Sequence, residues 1–176
     1  MRLFIAVPLD GGAKRQAAEV QDVLRRQQVR GNWTSAEDLH VTLAFLGEYP
    51  DPDRVLEILG RISFRPFSVC MDRVGCFGDL WWTGFAPCGA LDALAGKVRR
   101  ALAEGGIPFD RKRFRAHVTI LRRAQIPQGG MPSVDLEPRE MTVSGFSLMR
   151  SDRGKNGMIY TELGRIPVGK PPREKN

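Results

Sequence analysis

The hydrophobic and polar positions of the chain follow two periods, and these predict its secondary structure. Alternation with period two and β-branched or aromatic residues indicate strands, whereas apolar positions three or four residues apart indicate helices. The predicted order is a strand at 2–7, a helix at 11–29, a short strand or turn at 33, a strand at 40–46, a helix from 52 to about 62, a hairpin over 67–87, a helix at 89–104, a strand at 116–121, and strands near 141–150 and 157–163.

Two of these predicted strands carry the same triplet. LHVTLAFLGE spans residues 39–48 and AHVTILRR spans residues 116–123, and together they contain both histidines of the sequence. Each triplet follows a predicted helix, which indicates an approximate internal duplication. Because side chains alternate along a strand, His40 and Thr42 share one face, and His117 and Thr119 share the corresponding face of the second strand.

Composition narrows the class of protein. The chain has 176 residues, of which 42% are hydrophobic, as expected for a folded globular domain. No apolar run is long enough to span a membrane, and three cysteines without a CxxC pair favour a reducing cytoplasm over a disulfide framework. The net charge is +7 and 21 of the 27 basic residues are arginine, a bias that suits phosphate or nucleic-acid ligands.

The paired triplets favour acid–base catalysis. A single histidine in an apolar strand is more often a hydrogen-bonded core residue, but both histidines here have a threonine two positions later. We expect no metal, because HExxH, clustered carboxylates and paired cysteines are absent from the sequence. A Gly-x-Ser-x-Gly elbow and a P-loop are absent too. Two histidines could act as acid and base on a phosphodiester, with threonine hydroxyls binding its oxygens, although the residues alone do not assign the roles.

Five segments extend the likeness to a known family. RLFIAVPL, LHVTLAFLGE, LWWTGF, FRAHVTILRR and YTELGRIPV resemble the two-histidine (2H) phosphoesterase superfamily, specifically the RNA 2′,3′-cyclic phosphodiesterases also described as 2′-5′ RNA ligase-like proteins. Ala116 stands where this family commonly has proline. The resemblance implies an α+β fold with two pseudo-symmetric antiparallel-sheet lobes, flanking helices and a central cleft. It implies one bilobal domain over residues 1–168 and a flexible tail over 169–176.

The resemblance also implies an activity. It indicates hydrolysis of an RNA 2′,3′-cyclic phosphate to a 2′-phosphomonoester, without metal or cofactor, in which His40 donates a proton to the leaving 3′ oxygen and His117 accepts one from water. Thr42, Thr119 and Arg122 would bind the phosphate. Strict alternation puts Leu121 and Arg123 in phase with His117, so Arg122 requires a strand end or a bulge.

Three other functions remain open at this point. The same site could join RNA ends through a 2′-5′ bond or hydrolyse a small cyclic nucleotide, and a protein of another class would bind RNA or nucleotides without turnover. We expect a cytoplasmic monomer whose partner is RNA with a 2′,3′-cyclic phosphate end or a related nucleotide, with no membrane and no obligate protein partner. A base could stack on Trp33, Phe45, Trp81 or Trp82, although strand aromatics are more often core residues.

Overall fold

A computed structural model describes residues 1–169 and shows three α-helices, a short 3-10 helix and nine strands in this part of the chain. The elements are β1 Arg2–Pro8, α1 Gly11–Arg26, β2 Arg30–Trp33, β3 His40–Glu48, α2 Pro52–Leu59, β4 Phe67–Phe77, β5 Leu80–Phe85, α3 Gly89–Glu104, β6 His117–Gln125, β7 Arg139–Val143, β8 Gly145–Gly154 and β9 Gly157–Pro167. From residue 170 onward, the predicted tail lies outside the described residues.

The strands form one antiparallel sheet with two halves. Its order is β7-β4-β5-β6-β3-β1-β8-β9, and β2 pairs with β6. Lobe one comprises β3, β1, β8 and β9, and lobe two comprises β6, β5, β4 and β7. The lobes join at a single residue pair, Val41 with Val118, in the middle of the two motifs. The prediction of an α+β fold with two antiparallel-sheet lobes is confirmed.

The helices cover one face of the sheet and cross between the lobes. Asp10 begins α1 by accepting a hydrogen bond from the Ala13 amide at 2.8 Å, and Asp51 caps α2 in the same way. The buried stripe of α1 includes Ala17, Val20 and Leu24. Although α1 precedes β3, it packs against β6 and β7, and α3 precedes β6 but packs against β3. Each lobe is therefore supported by the helix that precedes the other motif.

Several predicted boundaries are wrong. The first helix ends at Arg26 rather than residue 29, and the second ends at Leu59, directly before Gly60. The strand predicted near 141–150 is two strands, because the chain leaves β4 at Val143 and pairs with β1 from Ser147 to Ser151. An apolar run indicates strand character but does not reveal a change of partner. Among the described helices, none is long and apolar enough to cross a membrane.

Candidate active site

The site is built around the pair that joins the lobes. Val41 and Val118 are antiparallel partners and are both buried. Continuing this register by one residue in each direction sets His40 opposite Thr119 and Thr42 opposite His117. All four side chains project from the face opposite the two valines, and all four are partly accessible. The lobes thus bring the two motifs together with approximate twofold symmetry.

Both imidazoles are held by the same backbone contact. The Nδ1 atom of His40 lies 2.5 Å from the carbonyl of Asp38, and Nδ1 of His117 lies 2.7 Å from the carbonyl of Arg115. Since a carbonyl only accepts, each Nδ1 carries the proton. In the neutral ring, Nε2 is then the atom that accepts a proton. The Thr42 hydroxyl lies 3.1 Å from Nε2 of His40 and donates to it when the ring is neutral.

A bulge at the third position after each histidine changes which later residues face the site. Leu43 is the unpaired extra residue of β3 between the partners of Ile5 and Ala6, and Ile120 is the extra residue of β6 opposite Trp81 and Trp82. Two consecutive residues are consequently buried in each strand, Leu43 with Ala44 and Ile120 with Leu121. The alternation therefore shifts by one residue.

The shift explains the position of Arg122. Strict alternation would have put Arg123 on the face of His117, but the bulge at Ile120 puts Arg122 there, where it is exposed. The equivalent residue of the first motif is Phe45, which the bulge at Leu43 brings to the face of His40. Two otherwise similar strands thus present a cation on one side of the site and an aromatic ring on the other.

Side chains from the helices bind the carbonyl at each bulge. Gln21 of α1 is buried, and its Nε2 donates to the carbonyls of Ile120 at 3.0 Å and Thr34 at 2.8 Å. Arg99 of α3 donates through Nε to the carbonyl of Leu43 at 3.1 Å. The Ile120 carbonyl also accepts a hydrogen bond from the Thr34 amide at 3.1 Å, so Gln21 adds a second donor at this bulge, and Arg99 supplies a side-chain donor at the other. Gln21 and Arg99 therefore position the two motif strands.

His40 lies in an aromatic environment. Its ring centroid is 5.0 Å from that of Phe4 and 5.6 Å from that of Tyr160, and Tyr160 also contacts Phe4 edge-on. Burial lowers the pKa of His40, the carbonyl and charge of Asp38 oppose this change, and the positive charges of Arg122 and His117 add to it.

Arg122 lines two adjoining grooves. One has a volume of about 560 Å³ and is lined by residues that include Arg2, Phe45 and Arg153. The other has a volume of about 620 Å³ and is lined by Asn32, Lys155 and others, and both grooves share Arg122, Met158 and Tyr160. The two grooves are lined by four cationic side chains, Arg2, Arg122, Arg153 and Lys155, against three acidic ones, Glu48, Asp152 and Asp38. This small excess of positive charge favours an anionic ligand.

The aromatic residues singled out in the sequence have different locations. Trp81 is buried in the core. The guanidinium of Arg25 lies over the ring of Trp33, with Cζ 4.4 Å from the ring centroid. Trp82 pairs with Thr119 and lies on the site face. Phe4, Phe77 and Tyr160, which were not predicted as site residues from the sequence, each contact a motif histidine. Alternation in their strands could have identified their faces, but strand order was needed to place them beside a histidine.

Comparisons with known proteins agree with this geometry. The fold and the two facing motifs define a two-histidine phosphoesterase. A sequence profile described as the 2′-5′ RNA ligase superfamily matches residues 12–155, and the chain belongs to this superfamily. The RNA 2′,3′-cyclic phosphodiesterases of Thermotoga maritima and Archaeoglobus fulgidus are 30% and 31% identical to it, over 93% of this chain and 93% and 98% of theirs.

A solved structure extends the likeness to the fold. Escherichia coli LigT complexed with 3′-AMP aligns with a TM-score of 0.78 and 27% sequence identity, and the alignment covers 96% of this chain and 98% of that chain. The resemblance stated from the motifs is confirmed. The prediction of an enzyme is confirmed at the level of the family, because the curated relatives are phosphodiesterases.

Proposed function

We propose that this protein hydrolyses the 2′,3′-cyclic phosphate at an RNA 3′ end to a 2′-phosphomonoester. The observation that carries the proposal is the bridge between Val41 and Val118, which brings both motifs to one face in opposite orientation. The two imidazoles, each anchored through Nδ1 to a backbone carbonyl, share this face with two threonines and Arg122. Such a site offers a base, an acid and donors for phosphate oxygens, the three requirements of phosphodiester hydrolysis.

The proton transfers follow the family's assignment of roles. His117 Nε2 accepts a proton from water as the water oxygen bonds to phosphorus. The bond from phosphorus to the 3′ oxygen breaks, and that oxygen takes the proton from Nε2 of His40, which leaves the phosphate on the 2′ oxygen. The lowered pKa of His40 makes its charged ring a stronger acid. The negative charge of the bound phosphate favours protonation of this ring before the reaction.

The remaining groups bind the phosphate. The hydroxyls of Thr42 and Thr119 flank the space between the imidazoles and can donate to its non-bridging oxygens, and the Arg122 guanidinium supplies a charged donor at the mouth of both grooves. Within residues 1–169, no cluster of His, Cys, Asp and Glu side chains is arranged to hold a metal ion. We propose that the reaction requires no metal or other cofactor, since the imidazoles, the threonine hydroxyls and the Arg122 guanidinium supply the proton transfers and phosphate contacts.

RNA with a cyclic phosphate end is the proposed ligand. The monomeric state and the cytoplasmic location stay predictions of the sequence.

The direct test follows turnover of an oligonucleotide that ends in a 2′,3′-cyclic phosphate by the wild type, His40→Ala and His117→Ala, with and without EDTA. We expect turnover by the wild type and its loss in both variants. Turnover that survives both substitutions would refute the acid–base mechanism, and binding without turnover would support an RNA-binding module instead. Loss of wild-type turnover on adding EDTA would indicate a metal.

A further inference from the structure

Phe77 is an exposed aromatic residue on the catalytic face of lobe two. It ends β4 at the Gly78–Asp79 turn, and 43% of its surface is accessible. Alternation along β4 packs the partly buried Val74 and Cys76 against the core, which puts Gly75 and Phe77 on the other face. Gly75 pairs with Trp82, and Trp82 pairs with Thr119. Phe77 therefore lies on the same face as the second motif.

The ring of Phe77 is held between two other rings. Its centroid lies 5.2 Å from that of Trp82 at an interplanar angle of 38°, and 5.9 Å from that of His117 at 79°. The contact with His117 is edge to face, and the ring keeps an accessible surface although it borders the imidazole. An accessible ring at this position can contact whatever is attached to a phosphate bound by His117.

Two glycines make room for the ring that supports Phe77. A Cβ atom on Gly75 would clash with the indole of Trp82, and a Cβ atom on Gly84 would come within 2.7 Å of its Cζ3 atom. The indole therefore lies flat across β4 and β5, where any other residue at these positions would displace it. The sequence thus provides a layer in which the sheet supports Trp82 and Trp82 supports Phe77.

On these grounds we propose that Phe77 stacks a nucleobase of the RNA end whose phosphate lies between His40 and His117. The inference rests on the proposed function and adds a binding site to it. A nucleobase fits better than an aliphatic ligand, because the Arg115 guanidinium lies 5.7 Å from the Phe77 centroid and attracts the phosphates that accompany a base. Stacking on an aromatic residue tolerates any base, so Phe77 would add affinity without choosing a sequence.

The test compares two substrates in the variants Phe77→Leu and Phe77→Tyr. Adenosine 2′,3′-cyclic phosphate carries a base, whereas methyl riboside 2,3-cyclic phosphate carries the same ring phosphate without one. For the adenosine substrate, Phe77→Leu should raise KM about tenfold and leave kcat within about twofold, whereas Phe77→Tyr should remain close to the wild type. Neither variant should alter kinetics with the substrate that lacks a base. Met131→Ala, at a residue that is 64% exposed in the 126–138 connection, is the matched surface control.

An equal loss of kcat on both substrates would overturn the inference, since it would mean that Phe77 only supports His117. An unchanged KM for the adenosine substrate in Phe77→Leu would overturn it as well. Thermal unfolding of each variant checks that the fold is retained.

A binding measurement separates this inference from the proposed function. Calorimetry with adenosine 2′-phosphate and ribose 2-phosphate needs no turnover. Tighter binding of the adenosine compound that depends on Phe77 would support stacking even if the wild type hydrolysed no cyclic phosphate. If the protein hydrolyses the cyclic phosphate but its affinity depends neither on the base nor on Phe77, the proposed function stands and the stacking is refuted.

Discussion

Replacing Gln21 by leucine tests whether a helix side chain maintains the bulge that places Arg122. The buried amide of Gln21 makes hydrogen bonds of 3.0 Å to the Ile120 carbonyl and 2.8 Å to the Thr34 carbonyl. Leucine has a similar volume but no donor. The Ile120 carbonyl keeps its bond from the Thr34 amide, at 3.1 Å, whereas the Thr34 carbonyl loses its Gln21 donor. At roughly 0.5–1.5 kcal/mol for each hydrogen bond, the free energy of unfolding should fall by about 1–3 kcal/mol.

The activity of Gln21→Leu should fall by more than its reduced stability explains. Where the variant is still folded, reduced stability alone does not change kcat/KM. A relaxed bulge at Ile120 would move Arg122 off the catalytic face, and a charged hydrogen bond to phosphate is worth about 1.5–3 kcal/mol. We therefore expect kcat/KM to fall by about tenfold to a hundredfold on a cyclic phosphate-ended oligonucleotide.

The assay combines urea unfolding with steady-state kinetics. Gln27→Leu is the matched control, because Gln27 lies at the end of the same helix and donates at 2.7 Å to the carbonyl of Ser133, away from β6. It should lose stability but keep wild-type kcat/KM. In a cycle with Arg122→Met, Gln21→Leu should add little once the guanidinium is gone. Equal activity losses in Gln21→Leu and Gln27→Leu, or additive losses in the cycle, would refute the reasoning.

Three further predictions concern the residues of the two motifs. Thr42→Val and Thr119→Val should each lower kcat about a hundredfold with little change in fold, and unchanged turnover in both would remove the hydroxyls from the mechanism. Arg122→Met should raise KM and reduce the slope of log KM against log salt by about one, whereas an unchanged slope would place Arg122 outside the phosphate site. Because burial lowers the pKa of His40, the unfolded chain binds a proton that the native ring has lost, so stability should rise as the pH increases toward the ordinary histidine pKa of 6.5. His40→Asn should remove that part of the slope in urea titrations, and a full slope in the variant would assign it to other groups.

Short-range patterns in the sequence predict much of the fold and part of the arrangement of the site residues. Periodicity placed both motif strands and the helix over 89–104, and alternation placed His40 with Thr42 on one face. It could not place Arg122, because the strand bulges at Ile120, whose carbonyl binds Gln21 about one hundred positions earlier in the chain. Periodicity also did not show that the segment near 141–150 forms two strands, one in each lobe. Contacts between distant segments decide both features.

The accessory aromatic residues show the same limit. Phe4, Phe77 and Tyr160 belong to strands that the sequence predicts. They contact the histidines because β1 adjoins β3, β9 belongs to the same lobe as β3, and the β4–β5 hairpin flanks β6. A family resemblance supplied the overall arrangement of the lobes. The positions of these aromatic side chains beside the histidines could not be predicted from it.

The regiochemistry of the product tests the central claim most directly. In the proposed mechanism His40 protonates the 3′ oxygen, so the phosphate must remain on the 2′ oxygen. An oligonucleotide ending in a 2′,3′-cyclic phosphate should give a single product in the presence of EDTA, and phosphorus NMR should identify it as the 2′-phosphomonoester. A 3′-phosphomonoester, a mixture of the two isomers or an unreacted cyclic phosphate would contradict the assignment of His40 and His117.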